Sequence, residues 1–125
     1  MLQLVTHPLV HECLAELRDS RTPPERFRAL TNRISVLLGA EALRDVPTVD
    51  STVNTPLGPS PSRRLAADVV MAPVLRAGLG MLPGMLELVP NARVGHLGLQ
   101  RDERTAVASQ YTRSSRRTFK TATCC

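Results

Sequence analysis

The run Arg76-Ala77-Gly78-Leu79-Gly80 contains the residue types and spacing best suited to a chemical role. It directly follows a short valine-rich apolar segment. A turn in that place, opening a helix, presents backbone N–H groups to an anion. The forked guanidinium of Arg76 matches phosphate oxygens, and Gly78 allows a close backbone approach. The pattern predicts phosphate binding by this turn, and an ordinary strand-to-helix turn with an exposed arginine is the alternative.

A second arginine, Arg101, holds the equivalent place after the next apolar segment, followed by Asp102 and Glu103. In parallel α/β folds, ligands bind beyond the carboxyl ends of the strands. Two neighbouring strands would then each bring an arginine to one edge of the sheet. Solvated loop charge is the alternative, and the residues alone favour it for Arg101.

The histidines do not form a convincing metal or catalytic pattern. His7 and His11 are four residues apart, a spacing that metals use, but His7 precedes Pro8 at a predicted helix start and no third ligand is evident. His96 alternates with small residues on a predicted strand, which is typical of a packed or hydrogen-bonded histidine. We therefore predict no metal ligand and no catalytic residue in this sequence.

The turn that begins with Arg76, called the arginine turn below, is predicted to lie within a βαβ unit. The valine-rich run 66–74 is short and apolar, so it predicts a strand buried on both faces. Residues 75–80 form the turn, residues 81–89 a helix weakened by a proline and a glycine, and residues 92–99 the next strand.

Two helices and an extended segment precede that unit. Apolar residues at helical spacing predict helices near 8–19 and 24–43, each opened by proline. Residues 48–57 mix β-branched and polar side chains and predict an exposed extended arm. Residues 58–62, with two prolines, predict a turn.

Composition narrows the function classes. The chain has 125 residues with 42% hydrophobic residues, which fits one globular domain with a modest core. No apolar run is long enough for a transmembrane helix, and no secretory signal is recognisable. Three cysteines without a disulfide or metal spacing favour a reduced, cytoplasmic protein.

The net charge of +5 is concentrated at the end of the chain. Four positive residues and no acidic one lie between Arg113 and Cys125. The rest of the chain is nearly neutral, so it lacks the basic surface of a nucleic-acid-binding protein.

Several longer motifs, in order, closely resemble the uracil phosphoribosyltransferase family from residue 7 to about residue 111. They are His7-Pro8-Leu9-Val10, Phe27-Arg28, Leu38-x-x-Glu41-Ala42-x-Arg44-Asp45, Thr55-Pro56-Leu57, Pro73 to Met81 (PVLRAGLGM), Gly84 to Pro90 (GMLELVP) and Val94 to Glu103 (VGHLGLQRDE).

The resemblance implies an α/β fold of the type I phosphoribosyltransferase kind: a parallel sheet with helices, incomplete here, and an N-terminal two-helix segment. The family joins uracil to 5-phosphoribosyl 1-pyrophosphate (PRPP), giving UMP and pyrophosphate in pyrimidine salvage, with Mg²⁺ on the ribose and pyrophosphate oxygens. Carried over by motif, Arg76 contacts the pyrophosphate of PRPP, and Ala77 and Gly78 form the loop around it. Arg101 reaches the same polyphosphate from the adjacent strand.

The sequence departs from the family pattern beyond Tyr111. We interpret residues 1–111 as the N-terminal part of a phosphoribosyltransferase domain, and residues 112–125 as a basic tail expected to be disordered. The family's acidic, Gly-Gly-containing PRPP loop and its uracil-binding segment have no match. A permitted set of codons for the tail, read from the third base, encodes a family-like Lys-Leu-Pro-Glu-Asp segment. The sequence thus predicts a truncated or frameshifted form.

Three functions remain open from the sequence. The first is a uracil phosphoribosyltransferase acting on PRPP and uracil. The second is a non-catalytic fragment or pseudoenzyme that keeps a surface for forming a homo-oligomer. The third, a basic RNA-binding protein, is disfavoured because the tail has four charges and one aromatic residue. We expect this polypeptide alone to lack UMP synthesis, and we expect no membrane partner.

Overall fold

The computed structural model describes residues 4–102, 104–105 and 107–114. Within these ranges two helices are followed by a β-hairpin and then by a unit of short parallel strands, a helix and a closing antiparallel strand. The chain is an α/β protein, as the sequence predicts.

The first two helices form most of the buried core. Helix α1 spans Pro8–Arg18, and its N-terminus is capped by Nδ1 of His7, which accepts a hydrogen bond from the Leu9 N–H at 3.1 Å. Helix α2 spans Pro24–Ala42. Both predicted helices are confirmed to within one residue at each end. Their apolar stripes meet in a core of aliphatic side chains and one thiol, made by Val10, Cys13, Leu30 and Ile34.

A third helix, α3, packs closely on α2. It spans Leu82–Leu88, which confirms the predicted helix despite the proline and glycine in its first turn. A Cβ atom added at Gly84 would lie 2.5 Å from the backbone oxygen of Asn32. One added at Gly39 would lie 2.5 Å from Sδ of Met85. The two glycines therefore allow the helix backbones to approach.

The extended segment is a β-hairpin. Strand β1, Thr48–Thr55, pairs antiparallel with strand β2, Gly58–Leu65. The turn predicted at 58–62 is wrong, since the chain reverses at Pro56 and Leu57 and residues 58–62 lie inside β2. Proline and serine are typical of turns, but the two prolines of β2 occupy positions where an antiparallel ladder needs no N–H.

The parallel strands are shorter than the sequence predicts. Strand β3, Val70–Met71, pairs with β5, Arg93–Val94, while β4, Val74–Leu75, pairs with β6, His96–Arg101. The βαβ unit is confirmed. The prediction of one strand over 66–74, buried on both faces, is wrong: β3 and β4 are separate two-residue strands in different sheets, and Val70 and Val74 are each 42% exposed.

An antiparallel strand that the sequence reasoning missed closes this sheet. Strand β7, Ala108–Ser114, pairs with β6, with an irregularity in register between Gly98 and Leu99. It runs three residues into the segment 112–125 that was expected to be disordered. Residues 115–125 lie outside the described residues, so for them that expectation stays a prediction.

Candidate functional site

The arginine turn lies where the sequence pattern puts it, directly after β4. Arg76 is exposed and precedes a short 3₁₀ helix over Ala77–Gly80. The Arg76 carbonyl accepts a hydrogen bond from the Leu79 N–H at 3.2 Å, and the Gly78 carbonyl accepts one from the Met81 N–H at 3.2 Å. The Leu75–Arg76 peptide bond is cis. Backbone hydrogen bonds within the turn thus stabilise it, and the Arg76 side chain is exposed, away from the core.

Gly78 is required by packing beneath the turn. A Cβ atom at this position would lie 3.3 Å from three atoms of Pro73, namely its carbonyl carbon, Cα and Cβ. That distance is tighter than ordinary van der Waals contact. The turn therefore folds back onto Pro73, the residue before β4, and a side chain at position 78 would require a shift of a few tenths of an ångström.

The second predicted arginine, Arg101, ends the neighbouring strand. Strands β4 and β6 are parallel, with Leu75 opposite Gly98. Arg76 is one residue beyond this pair and Arg101 is three residues beyond it. Both arginines therefore follow the paired segments of neighbouring parallel strands, at the carboxyl-terminal edge of one sheet.

The loop after Arg101 is organised by Asp102. Its Oδ1 accepts hydrogen bonds from the Arg104 N–H at 2.9 Å, the Thr105 N–H at 2.8 Å and the Thr105 hydroxyl at 3.0 Å. Hydrogen bonds from Thr105, backbone first, and from the Arg104 backbone lower the pKa of the Asp102 carboxyl below its usual 3.8. The carboxylate therefore holds the β6–β7 loop. Glu103, named beside it in the sequence, lies outside the described residues.

An open groove of about 730 Å³ adjoins the turn, between α2, the 3₁₀ helix and α3. Ala77 and Leu79 line one side and Phe27 and Arg28 the other, with Glu87 at the α3 side. On the α2 side, Nδ2 of Asn32 donates to Oε1 of Glu87 at 2.8 Å, which ties the two helices together. Sequence reasoning missed this groove because no local signal shows how α2 docks against the turn.

His7, one of the two histidines at metal-like spacing, acts as the N-cap of α1. No group of three or more His, Cys, Asp or Glu side chains able to hold a metal ion is found among the described residues. In the same part of the chain, no helix has the length and apolar character needed to cross a membrane.

The short parallel strands, with helices packed beside them, define an α/β protein. A family model described as uracil phosphoribosyltransferase matches residues 4–123. The chain belongs to the uracil phosphoribosyltransferase family.

Individual relatives agree with that assignment. The chain is 45% identical over 109 residues to a uracil phosphoribosyltransferase of Symbiobacterium thermophilum, covering 86% of this chain and 52% of that protein. It is 45% identical over 111 residues to the Thermus thermophilus enzyme of the same name, covering 88% of this chain and 53% of that protein.

A solved structure of a protein from Aquifex aeolicus superposes with a TM-score of 0.87 at 33% identity. The match covers 93% of this chain and 56% of that chain. The chain therefore spans about half the length of the curated relatives it matches.

Proposed function

We propose that this chain supplies the pyrophosphate-binding part of a uracil phosphoribosyltransferase site. The observation that carries the proposal is the place of Arg76, exposed at the carboxyl end of β4 within the region that matches the family. No ion pair engages its guanidinium among the described residues. An exposed guanidinium on a turn that is stabilised by backbone hydrogen bonds suits a polyphosphate ligand.

The chemistry of the proposed reaction gives that cation a role. When uracil displaces pyrophosphate from the ribose C1 of PRPP, the breaking C1–O bond leaves negative charge on the pyrophosphate. A guanidinium placed there stabilises the transition state more than the ground state, because the charge it faces increases along the reaction. In this proposal Arg76 contacts the pyrophosphate, Ala77 and Gly78 shape the turn around it, and Arg101 approaches from β6.

The family resemblance implies Mg²⁺, but the described residues offer no ready set of protein ligands for it. The described residues hold no cluster of three metal-binding side chains. Mg²⁺ is bound in many phosphoryl sites mainly through substrate oxygens and water. We accordingly place any Mg²⁺ on PRPP itself and assign none of its ligands to this part of the chain.

The proposal assigns only part of a substrate site to this polypeptide. In this proposal, the ribose 5-phosphate and the uracil edge are held by residues other than those of the Arg76 turn and β6. Holding two reactants in the productive geometry contributes up to about 7–11 kcal/mol toward lowering a barrier. Without those contacts, the isolated 125-residue chain is expected to give no measurable UMP synthesis.

A chimera tests the proposal. Residues 1–111 are joined to the part of the Thermus thermophilus relative that follows the matched region, and UMP formation from uracil and PRPP is measured. We expect activity in the chimera, a loss of about 10- to 100-fold in kcat/KM for Arg76→Ala, and no change for Arg18→Ala on α1.

Three outcomes would count against the proposal. A folded chimera without activity contradicts the proposed function, and an Arg76→Ala chimera of undiminished activity contradicts the role of Arg76. Turnover by the isolated chain would show that the unmatched half of the site is not needed.

A further inference from the structure

The loop that follows Arg101 is closed at its base by a backbone hydrogen bond of Asp102. The Asp102 N–H donates to the Val107 carbonyl at 3.0 Å, directly beyond the pair that Arg101 and Ala108 form between β6 and β7. Arg101 is therefore the last residue of β6, and its backbone is continuous with a loop whose two ends are joined.

The Asp102 side chain stabilises the inside of this loop. Its Oδ1 accepts hydrogen bonds from the Arg104 N–H, the Thr105 N–H and the Thr105 hydroxyl, at 2.8–3.0 Å. The Thr105 hydroxyl oxygen in turn accepts a hydrogen bond from the Val107 N–H at 3.4 Å. One carboxylate oxygen thus links the start of the loop to its middle, and the threonine links the middle to the end.

The order of this loop matters because of where β6 ends. Strands β4 and β6 are parallel, and Arg76 and Arg101 both follow the paired residues Leu75 and Gly98. Strand ends next to mobile loops fray at little cost in free energy. An arginine on such an end would lose more conformational freedom on binding a ligand, and that loss would lower its affinity.

We propose that Asp102 is a positioning residue for Arg101: by fixing the loop after β6, it presents Arg101 to pyrophosphate in one backbone conformation. This inference rests on the proposed function, which places Arg101 beside the pyrophosphate. Hydrogen bonds from Thr105 and from the Arg104 backbone lower the pKa of the Asp102 carboxyl, so the group is an anion at neutral pH. A direct contact with a polyphosphate would be repulsive, and Asp102 acts through the loop instead.

Titration of the full chain with inorganic pyrophosphate in metal-free buffer tests this role. The initial slope of the Ala77 and Gly78 amide shifts gives relative affinities without saturation. Asp102→Ala removes the acceptor, and we expect its dissociation constant to be about three- to tenfold above that of the wild type. Asp102→Asn keeps an Oδ1 acceptor and removes the charge, so its affinity should equal or exceed that of the wild type.

Asp68→Ala is the matched control. Asp68 is an exposed carboxylate that accepts a hydrogen bond from Arg93 at 2.6 Å, at the amino ends of β3 and β5. Its removal deletes the same charge far from the arginine turn, so the pyrophosphate affinity should stay at the wild-type value. A milder variant, Thr105→Val, removes the hydroxyl that joins Asp102 to Val107 and should weaken binding by less than Asp102→Ala.

A double-mutant cycle shows whether Asp102 acts through Arg101. In a chain that already carries Arg101→Ala, adding Asp102→Ala should cause no further loss of affinity, because the positioned residue is gone. A residue that only stabilised the fold would weaken binding by the same factor in both backgrounds. The amide signals of Cys13 and Leu30 in the core report whether each variant is folded.

Unchanged or stronger binding by Asp102→Ala, when Arg101→Ala binds more weakly than the wild type, contradicts the positioning role and leaves the proposed function intact. Equal losses for Asp102→Ala and Asp102→Asn, or equal losses in both Arg101 backgrounds, also contradict it. If Asp102→Ala unfolds the core, Thr105→Val replaces it in the cycle, and undiminished binding by that variant is the contrary result. Wild-type binding that is absent, or that neither Arg76→Ala nor Arg101→Ala weakens, contradicts the proposed function and this inference together.

Discussion

Replacing Arg76 by alanine should weaken pyrophosphate binding by a predictable factor. The side chain is exposed at the end of β4, so its removal leaves the core intact. A charge-assisted hydrogen bond contributes about 1.5–3 kcal/mol, and two arginines together give about 3–6 kcal/mol. That corresponds to a dissociation constant near the millimolar range for pyrophosphate alone. Loss of one of the two contacts should then weaken binding by roughly 10- to 160-fold.

A titration with inorganic pyrophosphate, followed by amide chemical shifts in NMR spectra, suits this affinity. Shifts in the wild type should concentrate at Ala77 and Gly78, and Arg18→Ala on α1 should reproduce the wild-type curve. Equal binding by wild type and Arg76→Ala would refute the assignment of this arginine. A dissociation constant of about 1 μM or less, below the range that 3–6 kcal/mol allows, would refute the reasoning that two arginines act with no further contacts.

Three further predictions concern stability. Gly84→Ala should lower the free energy of unfolding in urea by about 1–3 kcal/mol, because the new Cβ would lie 2.5 Å from the Asn32 backbone oxygen. Gly80→Ala is the control and should be nearly neutral, since its Cβ would lie 3.6 Å from the nearest neighbouring atom. Leu30→Ala should lower the free energy of unfolding by about 2–5 kcal/mol, since Leu30 is 1% exposed. Leu57→Ala at the hairpin tip should leave the free energy of unfolding almost unchanged, because Leu57 is fully exposed. Equal losses of stability in the two variants would contradict the placement of the core. The hydrogen bond from Arg26 lowers the pKa of the Glu16 carboxyl below its usual 4.5, so the stabilisation from this pair is present above that pH and is lost as pH falls through the lowered pKa. The difference in melting temperature between wild type and Glu16→Gln should therefore shrink from pH 6 to pH 3, and a constant difference would contradict the ion pair.

Part of the site could be predicted from the sequence because its signals are local. An apolar run, a glycine-containing turn and a helix pattern follow one another in the chain, and they place Arg76 at a strand end without any long-range information. The structure bears out this position. The groove beside Ala77 could not be predicted in this way, since it exists only where α2, remote in sequence, docks against the turn.

The errors in the predicted strands have a common origin in non-local pairing. Proline and serine at 58–62 favour a turn when considered alone, yet pairing with β1 places the prolines where no ladder bond is lost. The strand Ala108–Ser114 has no apolar alternation to mark it, and it exists because β6 offers an edge. Valine-rich composition predicts burial on both faces, but burial depends on what covers the sheet.

The three helices and the family could be predicted from the amino-acid sequence, because periodic apolar stripes, proline at helix starts and long motifs are properties of neighbouring residues. Which strands pair, in which register, and which sheet faces remain open followed from the three-dimensional structure. Strand pairing joins backbone groups that are distant in the chain, and its register carries no signal in either strand alone. For that reason the register that sets Leu75 opposite Gly98, and the pairing of β1 with β2, became visible only in three dimensions.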